Sequence, residues 1–140
     1  MAKWGPPEAR SRQTVRMAAP QRLLTLTDID DRDARGTSIF AHLYVVLTDG
    51  IRVLLLDDRG WSSSQPIDDM TRAYVTSTAK MAVGPDGPGP GETDAQMETW
   101  HWESLARRLE DSRLSITGID LSELPHDVEI SESLSKRLKA

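Results

Sequence analysis

Residues 39–56 constrain this chain more than any other segment. Ile39-Phe40-Ala41-His42-Leu43-Tyr44-Val45-Val46-Leu47 and Ile51-Arg52-Val53-Leu54-Leu55-Leu56 are rich in β-branched, aromatic and aliphatic residues, with Asp49-Gly50 close to their junction. An Asp-Gly pair between two such runs signals a hairpin, because a type I′ turn needs positive φ at both central residues. A two-residue turn pairs Val46 with Val53, Tyr44 with Leu55 and His42 with Asp57 on one face. On the other it pairs Val45 with Leu54, Leu43 with Leu56 and Ala41 with Asp58. Both faces are apolar near the middle. The hairpin is therefore expected at the centre of a sheet covered on both sides, or with one face on helices and the other on a partner.

This register sets His42 beside Asp57 at the open end of the hairpin. A carboxylate within reach orients an imidazole and favours its charged form, so the pair is a candidate general-base element. The plainer reading is a polar cross-strand pair that ends the ladder. Asp57-Asp58-Arg59-Gly60-Trp61 then reads as a tight exit from the strand. In a continuing strand Asp57 and Asp58 point to opposite faces, which argues against an acid/base pair. Arg59 is placed to bridge either carboxylate. Trp61 either plugs the end of the core or anchors a partner.

The rest of the chain supplies the other elements. Residues 1–20 carry Lys3, Arg10, Arg12 and Arg16 against Glu8, with Gly5-Pro6-Pro7 and no hydrophobic periodicity. They read as a disordered basic tail. Residues 21–27 form a first short strand and 28–38 a polar loop. Asp28, Asp30, Asp31 and Asp33 have the crowding of a calcium loop but lack its turn glycine and closing glutamate, so a solvated acidic loop without metal is expected. Pro66 opens a helix along which Ile67, Met70, Tyr74, Thr78 and Met81 recur at helical spacing, and Gly84 closes it in a left-handed cap. The Gly/Pro run 84–91 lacks the Lys and Ser/Thr of a phosphate loop and reads as a connector.

Thr93 and Gln96 form a capping box for a helix that runs to about Asp111. Trp102, Leu105, Ala106 and Leu109 make its apolar stripe. Adjacent helical residues diverge by about 100°, so Trp100 and Trp102 around His101 cannot share one surface. One packs inward and the other lies at an edge, open to stacking or an interface. Residues 113–119 alternate like a fourth strand, and Pro125-His126-Asp127-Val128 reads as a polar turn. Ser131 caps a last helix carrying Leu134 and Leu138, with Lys136, Arg137 and Lys139 at its negative end. The expected fold is α+β. A mostly antiparallel sheet of about four strands with a central hairpin is packed by two to three helices, and residues 21–140 make a single domain.

Charge bears on function. The 22 acidic and 17 basic side chains leave a net charge of -5, and the acidic excess lies after residue 20. Such a body repels nucleic acid and anionic membrane and is steered toward a basic partner. The absence of cysteine excludes disulfides and fits a reducing cytoplasm. No apolar run reaches the roughly 18 residues of a membrane span, and the N-terminus has no secretory signal.

No linear motif for a nucleophile, phosphate or metal is present, so no cofactor is expected. The favoured function is a non-enzymatic inhibitor- or immunity-type protein that presents an acidic surface to a basic protein. It is expected as a monomer, or as a homodimer through the hairpin or the helix edge. Its candidate binding residues are His42, Asp57, Asp58, Arg59, Trp61, Trp100 and His101. The alternative is a small-molecule-binding domain or small enzyme using His42 with Asp57, or His101. Convergence of these groups on one pocket separates the two.

The phrases Leu55-Leu56-Asp57-Asp58-Arg59-Gly60-Trp61, Val83-Gly84-Pro85-Asp86, His101-Trp102 and Leu124-Pro125-His126-Asp127-Val128 resemble those of a group of small actinobacterial proteins of unknown activity. The resemblance spans roughly residues 40 to 138. It implies a compact cytoplasmic protein and carries over no functional residue.

Overall fold

The computed structural model describes residues 18–30 and 37–139. The expected tail, up to residue 17, and the calcium-like Asp31 and Asp33 lie outside the described residues. Strands β1 (Pro20–Ile29), β2 (Thr37–Leu47) and β3 (Arg52–Ser63) come first. A 3₁₀ turn (Ile67–Asp69), helices α1 (Arg72–Ala82), α2 (Asp94–Glu110) and α3 (Gly118–Ser122), strand β4 (His126–Ile130) and helix α4 (Glu132–Arg137) follow. The strands form one sheet in the order β3-β2-β1-β4. It is antiparallel except for the parallel β1–β4 pair. The α+β class holds, with four helices. The hairpin is not central, because β3 is an edge strand and β1 pairs with the free side of β2.

The hairpin turn differs from the expected one. Leu47 N donates to Ile51 O at 2.8 Å and Gly50 N to Leu47 O at 2.9 Å, so the loop has three residues, Thr48-Asp49-Gly50. Only Gly50 takes positive φ (89°). This is a type I turn closed by a glycine bulge, in which one residue rather than two must enter the left-handed region. The extra loop residue shifts the ladder, which pairs Val46 with Arg52, Val45 with Val53 and Tyr44 with Leu54.

Two further irregularities in β3 move the register back and beyond. Leu55 is skipped, its carbonyl accepts from Arg108 Nη1, and Leu43 meets Leu56 as expected. The next pair is Ala41–Arg59, so the single residue His42 opposes both Asp57 and Asp58. The strand then continues to Ser63 opposite Thr37, where a tight exit was expected.

From Ile39 onward the odd residues of β2, Ile39, Ala41, Leu43, Val45 and Leu47, are all buried. Four of them join Trp102, Leu105, Ala106 and Leu109 of α2, Leu121 of α3 and Val83 in one apolar cluster. Ile39 joins Ile67, Met70, Val75 and Leu134 in a second. Both clusters therefore sit on the same side of the sheet. Burial of each large aliphatic side chain contributes about 1.5–3 kcal/mol. No described helix joins a core cluster on the even-numbered face of β2, hereafter the outer face.

Local signals place several elements well. The Thr93–Gln96 capping box forms with both reciprocal bonds, and Ser131 Oγ accepts from Leu134 N at 3.1 Å. Others need correction. The helix expected from Pro66 begins later: Pro66 leads into the 3₁₀ turn, and α1 is capped by Thr71, through a bond from Tyr74 N to Oγ1 at 3.1 Å. The break before Thr71 resets the helical phase: Val75 and Ala79 are buried, whereas Met81 is 76% exposed. The fourth strand is His126–Ile130 and not 113–119. After α2 the chain turns through Arg113, at φ 61°, and buries Leu114. Thr117 then caps α3.

Candidate functional site

The irregularity at Asp57–Asp58 borders a groove on the outer face. Strand alternation would have sent these carboxylates to opposite sides. Where two residues oppose one, the extra residue breaks the alternation and re-aims its side chain. Both aspartates line the same open groove of about 420 Å³ as His42, with Phe40, Gly60, Trp61 and Ser62. The Phe40 and His42 rings stack with centroids 4.6 Å apart and planes 27° from parallel. His42 thus leans on Phe40, and among the described residues it makes no hydrogen bond to Asp57.

A second hollow, of about 230 Å³, shares Phe40 and His42 and adds Leu26, Asp28, Glu129 and Ser131. The two hollows flank the Phe40–His42 stack, and their linings together draw on all four strands, a surface called the trough below. Asp28 is tied down, because its Oδ1 accepts from Ile29 N at 2.8 Å and from Ser131 Oγ at 2.7 Å. Asp58 lies 3.6 Å from Arg59 Nε, with its own side chain 78% exposed. Asp57 has no hydrogen bond or ion pair among the described residues.

Arg59 reaches one of the two carboxylates, that of Asp58, as expected. Its Nη1 donates to Ala82 O and Gly84 O, each at 3.1 Å, and reaches Asp86 Oδ1 at 3.4 Å. Trp61 is a wedge between the two apolar clusters, edge-on to Tyr74 at 6.5 Å. Its indole N–H is buried without a partner among the described residues.

The remaining candidates lie elsewhere. Trp100 is 56% exposed, beside Gly91, Glu92, Gln96 and Met97. Trp102 is the inward tryptophan, and its Nε1 donates to Glu98 Oε2 at 2.8 Å. His101 is 3% exposed, and its Nε2 donates to Val83 O at 2.9 Å. Burial, the largest influence, holds its pKa below the ordinary histidine value. His126 Nε2 lies 2.7 Å from Thr25 Oγ1 at the β1–β4 pair. Its pKa is lowered by burial first and by Lys80 second. His42 faces the trough while His101 packs on the helix side, so the two do not share a site.

The structure therefore brings His42, Asp57 and Asp58 to one groove; Arg59 and Trp61 border it from β3 but send their side chains to the helix side, and Trp100 and His101 lie apart from it. It adds Phe40, Leu26 and Glu129, which sequence reasoning missed. The alternation His126-Asp127-Val128-Glu129-Ile130 was the available signal for Glu129, hidden by reading the segment as a turn.

Among the described residues no group of three or more His, Asp or Glu could hold a metal ion. No helix among them is long and apolar enough to cross a membrane. No protein family, curated protein or solved structure matches this chain.

Proposed function

We propose that this chain is a protein-binding module of the inhibitor or immunity type, which takes a basic segment of a partner protein across its outer sheet face. The observation that carries the reading is the trough. It places Asp57, Asp58 and Glu129 around the Phe40–His42 stack on a face without a described helix. Carboxylates beside aromatic faces suit Lys and Arg side chains, which gain ion pairing at one end and stacking along the stem. The acidic body adds steering of a basic partner from a distance. Self-association through this face would set like charges against one another. Residence in the cytoplasm, suggested by a chain without cysteine, belongs to the same reading.

A second reading rests on His42 opposing two carboxylates, which suits a small cationic ligand or proton transfer. The openness of the trough favours binding of a macromolecular segment, since catalytic groups work best where water is excluded.

Titration of isotope-labelled protein with an arginine-rich peptide at low salt tests the proposal. Amide shifts should centre on Phe40, His42 and Gly60 and fade at high salt, and Asp57→Asn with Asp58→Asn should raise Kd about tenfold or more. Shifts that centre on Trp100, or that match those from a neutral peptide, would overturn it.

A further inference from the structure

Strand β3 is one edge of the sheet among the described residues. Alternate residues of an edge strand turn their N–H and C=O groups away from the sheet, where another extended segment can pair with them. The first half of β3 is spoiled for such pairing. The Leu55 carbonyl accepts from Arg108 of α2, and irregularities at Leu55 and at Asp57–Asp58 interrupt the ladder. Breaks of this kind are how edge strands resist unwanted partners. From Arg59 to Ser63 the strand is regular, with five consecutive pairs to Ala41–Thr37. Among the described residues, no backbone group of this stretch bonds to any element but β2.

The side chains of this stretch leave its outer face open. Arg59 and Trp61 point to the helix side. Gly60 and Ser62 point outward, opposite Phe40 and Ser38, and both are exposed. At Gly60, β3 therefore puts no side chain between its edge and the Phe40 ring. Asp57 and Asp58, also exposed, stand at the start of the stretch. Phe40, His42, Gly60, Ser62 and the two aspartates line one groove.

We propose that the partner's basic segment binds as a fifth strand along Arg59–Ser63 of the β3 edge and passes a Lys or Arg side chain over Gly60 to the Phe40–His42 stack. This mode of binding rests on the partner-binding reading and specifies how the segment is held. Adjacent strands lie about 4.8 Å apart, so β2 is two spacings, about 10 Å, from the added strand. A long cationic stem covers that distance and a short side chain does not. The stem then lies over Gly60, and the charged head enters the groove that Asp57, Asp58, Phe40 and His42 line. The occupant is an extended segment with cationic residues at alternate positions, so that they share the outer face, and without proline where it bonds to β3. A second copy of β3 fits less well, because its outer-face residues here, Gly60 and Ser62, supply no cation.

Amide hydrogen exchange of the full chain by NMR, free and with a peptide carrying arginine at alternate positions, tests the edge. With the peptide well above its Kd, alternate amides between Arg59 and Ser63 should exchange at least about tenfold more slowly, while the β4 edge is unchanged. Two versions of the peptide, each methylated on alternate backbone nitrogens in one of the two phases, should differ about tenfold in Kd, because only one phase donates to β3. Equal Kd for the two versions, or no slowing in β3, while binding still depends on Asp57 and Asp58, would overturn the edge pairing and leave the partner reading standing. No binding of the peptide would overturn both. Slow exchange of the same amides in the free protein, growing with its concentration, would assign the edge to a second copy and overturn the proposal.

Discussion

A Cβ added to Gly60 would stand 2.5 Å from the carbonyl oxygen of Ile39 and 3.0 Å from Cα of Phe40, its partner across the β2–β3 ladder. Both are backbone atoms and cannot rotate away. Gly60→Ala must therefore push the two strands apart where they carry the trough. We expect a loss of about 1–3 kcal/mol. Urea unfolding should show a lower midpoint with an unchanged slope.

Arg59→Met keeps the stem and removes the donors to Ala82 O and Gly84 O. Buried carbonyls left without partners cost about 1–3 kcal/mol. Asp86→Asn, which alters only an exposed carboxylate at 3.4 Å, should cost well under 1 kcal/mol. Equal midpoints for the two variants in denaturant would contradict this division.

Ser131 and Thr93 are both helix caps, but Ser131 Oγ also donates to Asp28 Oδ1 at 2.7 Å. Thr93→Ala should cost about 1 kcal/mol, the usual worth of a cap. Ser131→Ala should cost more, because the Asp28 carboxylate then loses a donor as well. Thermal melts of the two variants under the same buffer compare them directly.

Trp102 and Trp100 should separate cleanly. Trp102→Ala empties a core site and is expected to cost about 3–5 kcal/mol. Trp100→Ala removes a side chain that is 56% exposed and should stay within about 0.5 kcal/mol of wild type. Chemical denaturation gives both numbers.

Stability should depend on pH through His126. Its folded pKa lies below the ordinary value, so the unfolded chain binds more protons in the window between the two. The contribution is fully present above about 6.5, the unfolded value, and is lost as pH falls through the folded pKa. Lys80→Gln removes a neighbouring cation, raises the folded pKa and should shrink this loss. Urea midpoints measured from neutral pH downward should converge for wild type and Lys80→Gln above the histidine range and diverge below it.

The contrast between α2 and the site shows how far the chain could be read in advance. The capping box at Thr93, the stripe Trp102-Leu105-Ala106-Leu109 and the Ser131 cap depend on residues a few positions apart, and all appear as expected. The trough depends on one additional residue in β3. Alternation along a strand says that Asp57 and Asp58 diverge. Only the pairing Ala41–Arg59 after Leu43–Leu56 reveals that both oppose His42.

The sequence by itself determined the hairpin, the capped helices α2 and α4 and the α+β class, because each is set by local backbone preference and hydrophobic period. The tertiary structure decided the rest. It placed β4 parallel to β1, pairing His126–Ile130 with residues about 100 positions earlier. It brought Arg59 and His101 to the carbonyls of Ala82, Val83 and Gly84 at the end of α1. It gathered Asp57, Asp58 and Glu129 around Phe40 and His42. These outcomes rest on contacts between distant segments, whose geometry arises only when the sheet pairs and the helices pack on one side of it.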